Sequence, residues 1–562
     1  MRPLDWVVLV GALVSMVVYG LYKGRGSNTV NKYLLAGKTM PWYAMAFSIM
    51  ATQASAITFI STPGQAYVDG MRFVQMYFGL PIAMVILAAT AVPIFHRAGV
   101  YTAYEYLEKR FDPKTRALVS AIFLIQRGLA IGLSLAAPAI VLTAILGWPY
   151  RATTLIIGCL VLLYTVTGGV KALTWTDVQQ MAIIFCGLVA ALVTAIWLLP
   201  SHLSLRDAIS LAGAAGKLNA VDLHFDLKSE FNIWSGLIGG TFLALSYFGT
   251  DQSQVQRYLT GKSIAQSRLS LLFNAIAKIP MQFVILFTGA MVFVFYLYQQ
   301  PPLLFQPVEL KRIAAQADYR PVAERYDRAF EERKAAADRL IEARRVSDPA
   351  RERASLGQYR QAQRDIDAAR ARGLELARQA NGDPRFNDTN YIFLSFVTRY
   401  MPAGIVGLVM AVIFAATMSS ISAEFNSLAT VSVIDVYRRH VRKGASDRHY
   451  LRFSRAATAF WGCYAMIFAA AYGQNLGTLV VAVNKVGSLF YGGMLGVFVL
   501  AFAFPRVRGT AAFIGVLAGE AAIFYASFFT QISFLWYNVV GCCVVVGVGL
   551  LLSMLQPRIE AA

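Results

Sequence analysis

Long apolar runs alternate with short polar connections along this chain, and the runs repeatedly reach the ~20 residues a helix needs to cross a bilayer's hydrocarbon core. About thirteen spans are expected, at 4–22, 42–67, 73–95, 118–146, 153–167, 175–199, 233–255, 269–298, 402–433, 456–472, 476–504, 511–529 and 534–555. The pattern breaks once, over residues 301–390. There the apolar period disappears and roughly 18 basic and 15 acidic residues stand among Ala, Gln and Leu, a composition of good helix formers. Asp348 before Pro349 reads as an N-cap followed by a favoured first helical residue, so the segment is expected to fold back as a two-helix hairpin. Two roles stay open for it: a solvated structural cover over the outer face, or a docking or gating element for a partner protein.

Composition agrees with the pattern. The chain has 562 residues, 57% of them hydrophobic, and a mean hydropathy of +0.53. The expected fold class is an all-α polytopic membrane protein with an extramembrane helical hairpin insert. The net charge of +20 does not indicate nucleic acid, because most of it lies in short loops, where it sets topology. With the N-terminus outside, the inner connections hold about 23 Lys and Arg and the short outer ones about 6, which orients the chain N-out and C-in. The insert then lies outside, which the rule permits for long loops. The first apolar run lacks a small-residue cleavage site and is followed by stronger positive charge, so it is expected to remain as a span.

Several motifs are decoys. "QRYLTGKS" at 256–263 ends like a phosphate-binding loop but has Gln256 where that loop needs glycine. The five histidines and five cysteines have no metal or nucleophile spacing, so an enzyme is not expected. The sequon at Asn387-Asp388-Thr389 is common by chance.

Ionisable groups in hydrocarbon cost on the order of 2.5–3.5 kcal/mol each, so each one present is a functional candidate. Here they are Arg127, Asp177, Asp251, Lys278, Glu424, Lys485 and Glu520. One run concentrates polarity further: "AATMSSISAEFNS" at 415–427. On a helix it presents Ala416, Ser419, Ser420, Ala423 and Ser427 as one small, polar stripe, with Ser422 and Asn426 on one flank and Glu424 on the other. Such a stripe either lets helices approach closely while hydroxyls bond back to the preceding turn, or supplies oxygen ligands to a dehydrated hard cation. The run "FSIMATQASAITFISTPGQAY", polar through its centre and carrying Pro63-Gly64 near one end, reads as an interrupted helix whose freed backbone could meet an ion and a solute.

At these residues the chain resembles the sodium:solute symporter family. The resemblance rests on "NKYLLAGKTMPWYAMAFSIMATQASAITFI", "PIFHRAGVYTAYEYLEKRFD", "YTVTGGVKALTWTDVQQ", "YFGTDQSQVQRYL", the lysine of "NAIAKIPMQFVILFTG" and "AATMSSISAEFNSLATVSVIDVYRR". It implies a LeuT-like core of two inverted five-helix repeats, at about 42–199 and at 233–299 plus 402–504. It divides the chain into a first membrane part (1–300), the outer insert (301–390) and a second membrane part (391–562). It implies Na+ as the coupling ion, held by carbonyls of Ala51, Ala54 and Ala416 and hydroxyls of Ser419 and Ser420. A second sodium would use Asp177, Ser419 and Ser422, but Ala423 stands where a further hydroxyl is expected. The implied solute contacts are Gln53, Ser55, Thr58, Gln75, Tyr77, Tyr247 as an inner gate, Lys278 and Asn484. Thr58, Tyr77, Leu80 and Ala244 replace more polar or longer groups of the sugar carriers, which weakens a hexose. Arg127 and Lys485 either meet an anionic solute or pair internally, for instance Lys485 with Glu424. Glu424 either replaces the missing sodium ligand or is a buried carboxylate paired with a basic neighbour.

The expectation is therefore a sodium-coupled symporter in the cytoplasmic (plasma) membrane importing a sugar, sialic acid or other carboxylate, with membrane lipid, sodium and solute as partners and no nucleic acid. The rival is a sensor or scaffold that keeps the fold and recognises a partner through the insert. Only "QPRIEAA" follows Leu555, so no signalling domain favours it.

Overall fold

A computed structural model describes residues 1–473 and 479–555, and within them the chain is built from helices. Nine helical runs among the described residues are long and apolar enough to cross a membrane. The difference from thirteen expected spans has physical causes. The run 42–67 is broken into two short helices, α1 (Trp42–Gln53) and α2 (Ala56–Asp69), and α2 is counted with the run 73–95 in one stretch, Ala56–Ala98. The run 456–472 lies in the helix Asp447–Tyr472, which is not among the nine. The runs 153–167 and 175–199 are joined in one 48-residue helix, α4 (Tyr150–Trp197), following α3 (Pro113–Leu146). At ~1.5 Å per residue a straight helix of that length would far exceed the bilayer, and α4 bends at Gly169, whose φ of 61° only glycine adopts readily. A side chain there would also meet the Tyr33 backbone. The run 233–255 is short and irregular, with α5 (Gly240–Gly249) and α6 (Gln252–Leu259) separated at Thr250-Asp251. The first residues of the expected span 476–504, 476–478, lie outside the described residues.

Around these pack α7 (Ile264–Tyr298), α10 (Thr389–Tyr400), α11 (Ile405–Val431), α12 (Leu479–Ala503) and α13 (Phe534–Met554). The insert supplies α8 (Tyr319–Arg345) and α9 (Pro349–Asn381), packed against each other, with the Asp348 side chain accepting from the amides of Ala350 and Arg351. The hairpin has its own apolar core, including Leu303, Phe330, Ile366 and Leu376. It is docked rather than tethered. Arg333 donates to the Tyr296 carbonyl at 2.7 Å, capping the end of α7, and Arg370 pairs with Asp388 at 2.6 Å.

The most apolar window of the run through α11 is 89% buried, against 22% for the N-terminal helix Pro3–Gly24, which puts the serine-rich segment at the centre of the bundle. It packs on α1, α2, α3 and α4. Its far end is tied by Asp435, which accepts from Thr102 at 2.9 Å and from Arg116 at 2.7 Å, while Arg116 also reaches Glu108.

The break falls in the polar centre of the run, at Ala54-Ser55, and Pro63-Gly64 lies inside α2. The pair marks close packing. A side chain at Gly64 would run into the Thr389 carbonyl on α10, and one at Gly289 on α7 would run into the Pro63 carbonyl. Small residues that let helix backbones touch are the usual basis of packing in lipid. Gly64→Val and Gly289→Val are each expected to destabilise the protein by about 1–3 kcal/mol through overpacking, whereas Gly357→Ala on the hairpin, with nothing within 4 Å of the new methyl group, is expected to stabilise by up to ~1 kcal/mol. Thermal unfolding of the purified protein checks the contrast.

Candidate functional site

The centre of the molecule is made where a broken helix meets a polar one. After Gln53 the backbone leaves the helical region, with Ala54 at φ −85°, ψ 68° and Ser55 at φ −70°, ψ 166°, before α2 begins. The break frees peptide groups at membrane depth, which must be met by protein or by a cavity. Ser420 of α11 donates toward the Thr52 carbonyl at 3.2 Å and the Ala416 carbonyl at 3.0 Å. Ala51, Ala54 and Ala416 are all fully buried at this junction. The serines of this run differ in their partners. Ser422 and Ser427 bond back to Ser419 and Glu424 carbonyls in the preceding turn, while Ser419 and Ser420 reach other helices.

Ser419 reaches Asp177 of α4. The two carboxylate oxygens accept from Ser419 at 2.7 Å and from Ser48 of α1 at 2.5 Å, so one fully buried aspartate joins three helices. Ala423, where a further hydroxyl was expected, is also fully buried. The charge of Arg257, on α6, acts on Asp177. Arg257 is 1% exposed, and none of its three guanidinium nitrogens has a hydrogen-bond partner among the described residues.

Beside the break lies a cavity of ≈ 130 Å³. Thr52, Gln53, Ser55, Ile57 and Thr58 of the broken segment form one wall; Met76, Tyr77 and Leu80 a second; Leu243, Ala244, Tyr247 and Phe248 of α5 a third. Arg127 and Ser134 of α3, Ser420 and Glu424 of α11, and Val483, Asn484 and Tyr491 of α12 complete it. Arg127 organises this end. One terminal nitrogen meets Glu424 Oε1 at 3.0 Å; the other meets Asp251 and the Tyr491 hydroxyl, the latter at 2.8 Å. Tyr491 in turn donates to Asp251 at 3.0 Å, and Ser134 lies 3.4 Å from Glu424 Oε1. One guanidinium thus serves two carboxylates.

Of the expected solute contacts, Gln53, Ser55, Thr58, Tyr77, Arg127, Tyr247 and Asn484 line the cavity. Gln75, Lys278 and Lys485 do not. Gln75 is spent on structure, donating to the Phe231 carbonyl at 2.9 Å and accepting from the Asp222 amide at 2.9 Å. Lys485 is exposed. Lys278 is fully buried, its ammonium 5.6 Å from the Tyr77 ring and without a hydrogen-bond partner. Glu424 pairs with Arg127 rather than Lys485. Tyr247 accepts from Gln254 at 2.7 Å and faces Arg127.

Thr52, Ser134, Tyr491 and Arg257 were not among the expected site residues, and Asp251 was expected only as one of the ionisable groups within the apolar runs. Ser134 follows Arg127 by seven positions, hence on the same helix face, and Asp251 caps α6 through the Ser253 amide. Both signals are in the sequence. Thr52 and Tyr491 carry none.

Comparison with known proteins follows this geometry. The family model described as "Sodium:solute symporter family" matches residues 33–309 and 376–519, leaving out most of the hairpin. The chain is 26% identical over 533 residues to human sodium-coupled monocarboxylate transporter 1, covering 94% of this chain and 74% of that protein. It is 26% identical to the sodium/sialic acid symporter NanT of Aliivibrio fischeri, covering 98% and 92%. It is also 26% identical to the sodium/glucose cotransporter of Vibrio parahaemolyticus, covering 92% and 83%. A solved Na+-coupled sialic acid symporter, in a substrate-bound outward-open state, shares the fold with a TM-score of 0.78 at 23% identity, covering 99% of this chain and 98% of that one.

The shared arginine makes a stability prediction. Arg127→Met leaves two buried carboxylates without their cation and is expected to cost about 3–5 kcal/mol. Adding Glu424→Gln to that variant is expected to recover part of the loss, with a coupling of about 1–3 kcal/mol. A double-mutant cycle on thermal unfolding measures it, and additive losses would show that the two residues do not interact.

Proposed function

The chain belongs to the sodium:solute symporter family, and on that premise we propose that it imports a small organic solute, a sugar, sialic acid or other carboxylate, by sodium-coupled alternating access. The supporting observation in the structure is Ser420, whose hydroxyl lies within 3.2 Å of a carbonyl of the broken segment and 3.0 Å of one in its own helix. Hydroxyls and carbonyls gathered in a dehydrated place are what a hard cation requires.

In this reading sodium is held by the carbonyls of Ala51, Ala54 and Ala416 and the hydroxyls of Ser419 and Ser420, with the Thr52 carbonyl close by. Sodium joins α11 to the broken segment and so favours the outward-open arrangement, in which the adjacent cavity admits solute. Rocking of two inverted five-helix repeats then exposes both to the inside. Asp177, with Ser419 and Ser422, is the second candidate for a cation; its two hydroxyl bonds and its nearness to Arg257 also suit a structural hub. Each sodium moving down 100 mV releases about 2.3 kcal/mol, equivalent to about fiftyfold accumulation of solute.

The remaining assignments follow the charge of the loops: thirteen crossings of the cytoplasmic membrane, N-terminus outside, C-terminus inside, and the docked hairpin on the outer face. Its contacts with the end of α7 suit a fixed cover.

Sodium, and not potassium, is expected to raise the unfolding temperature of the purified protein, because a ligand of the native state stabilises it by mass action. Ser419→Ala with Ser420→Ala is expected to raise the sodium concentration for half-maximal stabilisation by about tenfold, the loss of roughly two weak ligand contacts. An unchanged sodium dependence in the double variant removes this site assignment.

A further inference from the structure

The hairpin closes over a second cavity, of ≈ 330 Å³, which shares no lining residue with the one beside the broken helix. The transporter body supplies one side of it, with Tyr67 and Val68 near the end of α2, Phe293 on α7 and Lys217 in the connection after α4. The hairpin supplies the other, including Arg333 of α8 and Arg370 of α9. The hairpin's share lies wholly outside the residues that the family model matches.

Two of these cations are buried, Lys217 at 8% exposure and Arg333 at 2%. Lys217 is fixed by its backbone, which packs so closely on Gly70 that a side chain at 70 would meet it. Its ammonium stands 5.0 Å from the Phe293 ring and donates to the Val68 carbonyl. Arg333 donates from its terminal nitrogens to Gln363 Oε1 at 3.3 Å and to the Tyr296 carbonyl at 2.7 Å, while its Nε is buried and has no partner. All of these acceptors are neutral. Arg370 is matched by Asp388. Asp367, the one carboxylate in the lining, is exposed and accepts from Gln363 at 2.9 Å. Asp69 stands in the adjoining recess with Arg72 and lines no part of this cavity. Burial pushes the Lys217 ammonium below its ordinary range, and Asp367 and Asp69 oppose this only through space. Two buried cations thus face one carboxylate, and neither forms an ion pair with it among the described residues. A buried charge without a counter-charge is costly.

We propose that this cavity binds an organic monoanion, a carboxylate on a small apolar body, with the carboxylate between Arg333 and Lys217 and the body held between the hairpin and the transporter. One negative charge completes the balance of the lining; a phosphate dianion brings a second, beside Asp367, with no cation left to meet it. The rings of Tyr67, Phe293 and Tyr326 and the side chain of Ile366 supply the apolar walls that small-molecule sites use for the rest of the ligand. This site is additional to the central one and calls for no sodium, so it stands apart from the symport reading.

The test uses the full-length protein in nanodiscs of zwitterionic lipid, with thermal unfolding in potassium or sodium chloride at equal concentration. The probes are benzoate and hexanoate, their amides, and inorganic phosphate. Benzoate or hexanoate is expected to raise the unfolding temperature in potassium as well as in sodium, at concentrations about tenfold or more below those its amide needs, since the amide lacks the charge-assisted contacts. Lys217→Met is expected to weaken the carboxylate by about tenfold. Because loss of Lys217 could loosen the loop, Ala371→Phe supplies a second variant: position 371 is exposed yet lines the cavity, so the ring fills the space with both cations kept, and the response is expected to vanish. Ala244→Phe, which fills the central cavity instead, is expected to leave the response in potassium unchanged. Equal potency of carboxylate and amide, a response to phosphate in place of the carboxylates, no response to either carboxylate, or full affinity in Ala371→Phe overturns the proposal. So does a response that needs sodium or is lost in Ala244→Phe, which places the anion in the central cavity.

Discussion

A helix that breaks inside hydrocarbon leaves peptide groups that no water can reach, and the middle of this molecule is arranged around meeting them. The break at Ala54-Ser55 sits against a face of α11 made of small and hydroxylated residues. Small residues at 416 and 423 allow close approach, and Ser420 has a hydroxyl to offer across the gap. An apolar α11 would pack equally densely but would strand the carbonyls. The same polarity that stabilises the break makes the place suitable for a cation.

Charge is handled by the same economy of partners. Asp177 holds α1, α4 and α11 together through two hydroxyls, and Arg127 holds α3, α11, α12 and the α5–α6 break through Glu424, Tyr491 and Asp251. These contacts cross between segments far apart in the chain. Any relative motion of α3 and α11 stretches an ion pair in a low dielectric, where it is strong and where its separated halves are costly. The arrangement ties the electrostatics of the cavity to the conformation of the bundle, as alternating access requires of a coupled carrier.

Much of this was legible in the sequence, for specific reasons. Hydrophobic length reveals membrane helices because the bilayer imposes it. The Asp348-Pro349 start of the second hairpin helix is a local capping signal. The serine stripe is a helical-period signal, and its angular pattern correctly set Ser420 toward protein. The two apolar runs of α4 are separated only by the kink at Gly169, with no polar loop between them. In the structure Pro63 is tolerated inside α2, and Gly64 is needed for contact with α10.

What the sequence determined by itself is what local chemistry and the solvent dictate: a helical chain immersed in lipid, a charged hairpin apart from it, an interrupted helix, and a polar face on α11. Only the tertiary structure decided which buried charges meet. Arg127 and Glu424 are separated by 297 positions, Arg127 and Asp251 by 124, and Asp177 and Ser419 by 242. No periodicity links such distances. Gln75, a plausible solute contact by type, is consumed by backbone groups near 222 and 231, and Lys485 is exposed and does not line the cavity that Asn484 helps to form. A side chain's partners depend on which helices become neighbours, and that is a property of packing rather than of any one segment.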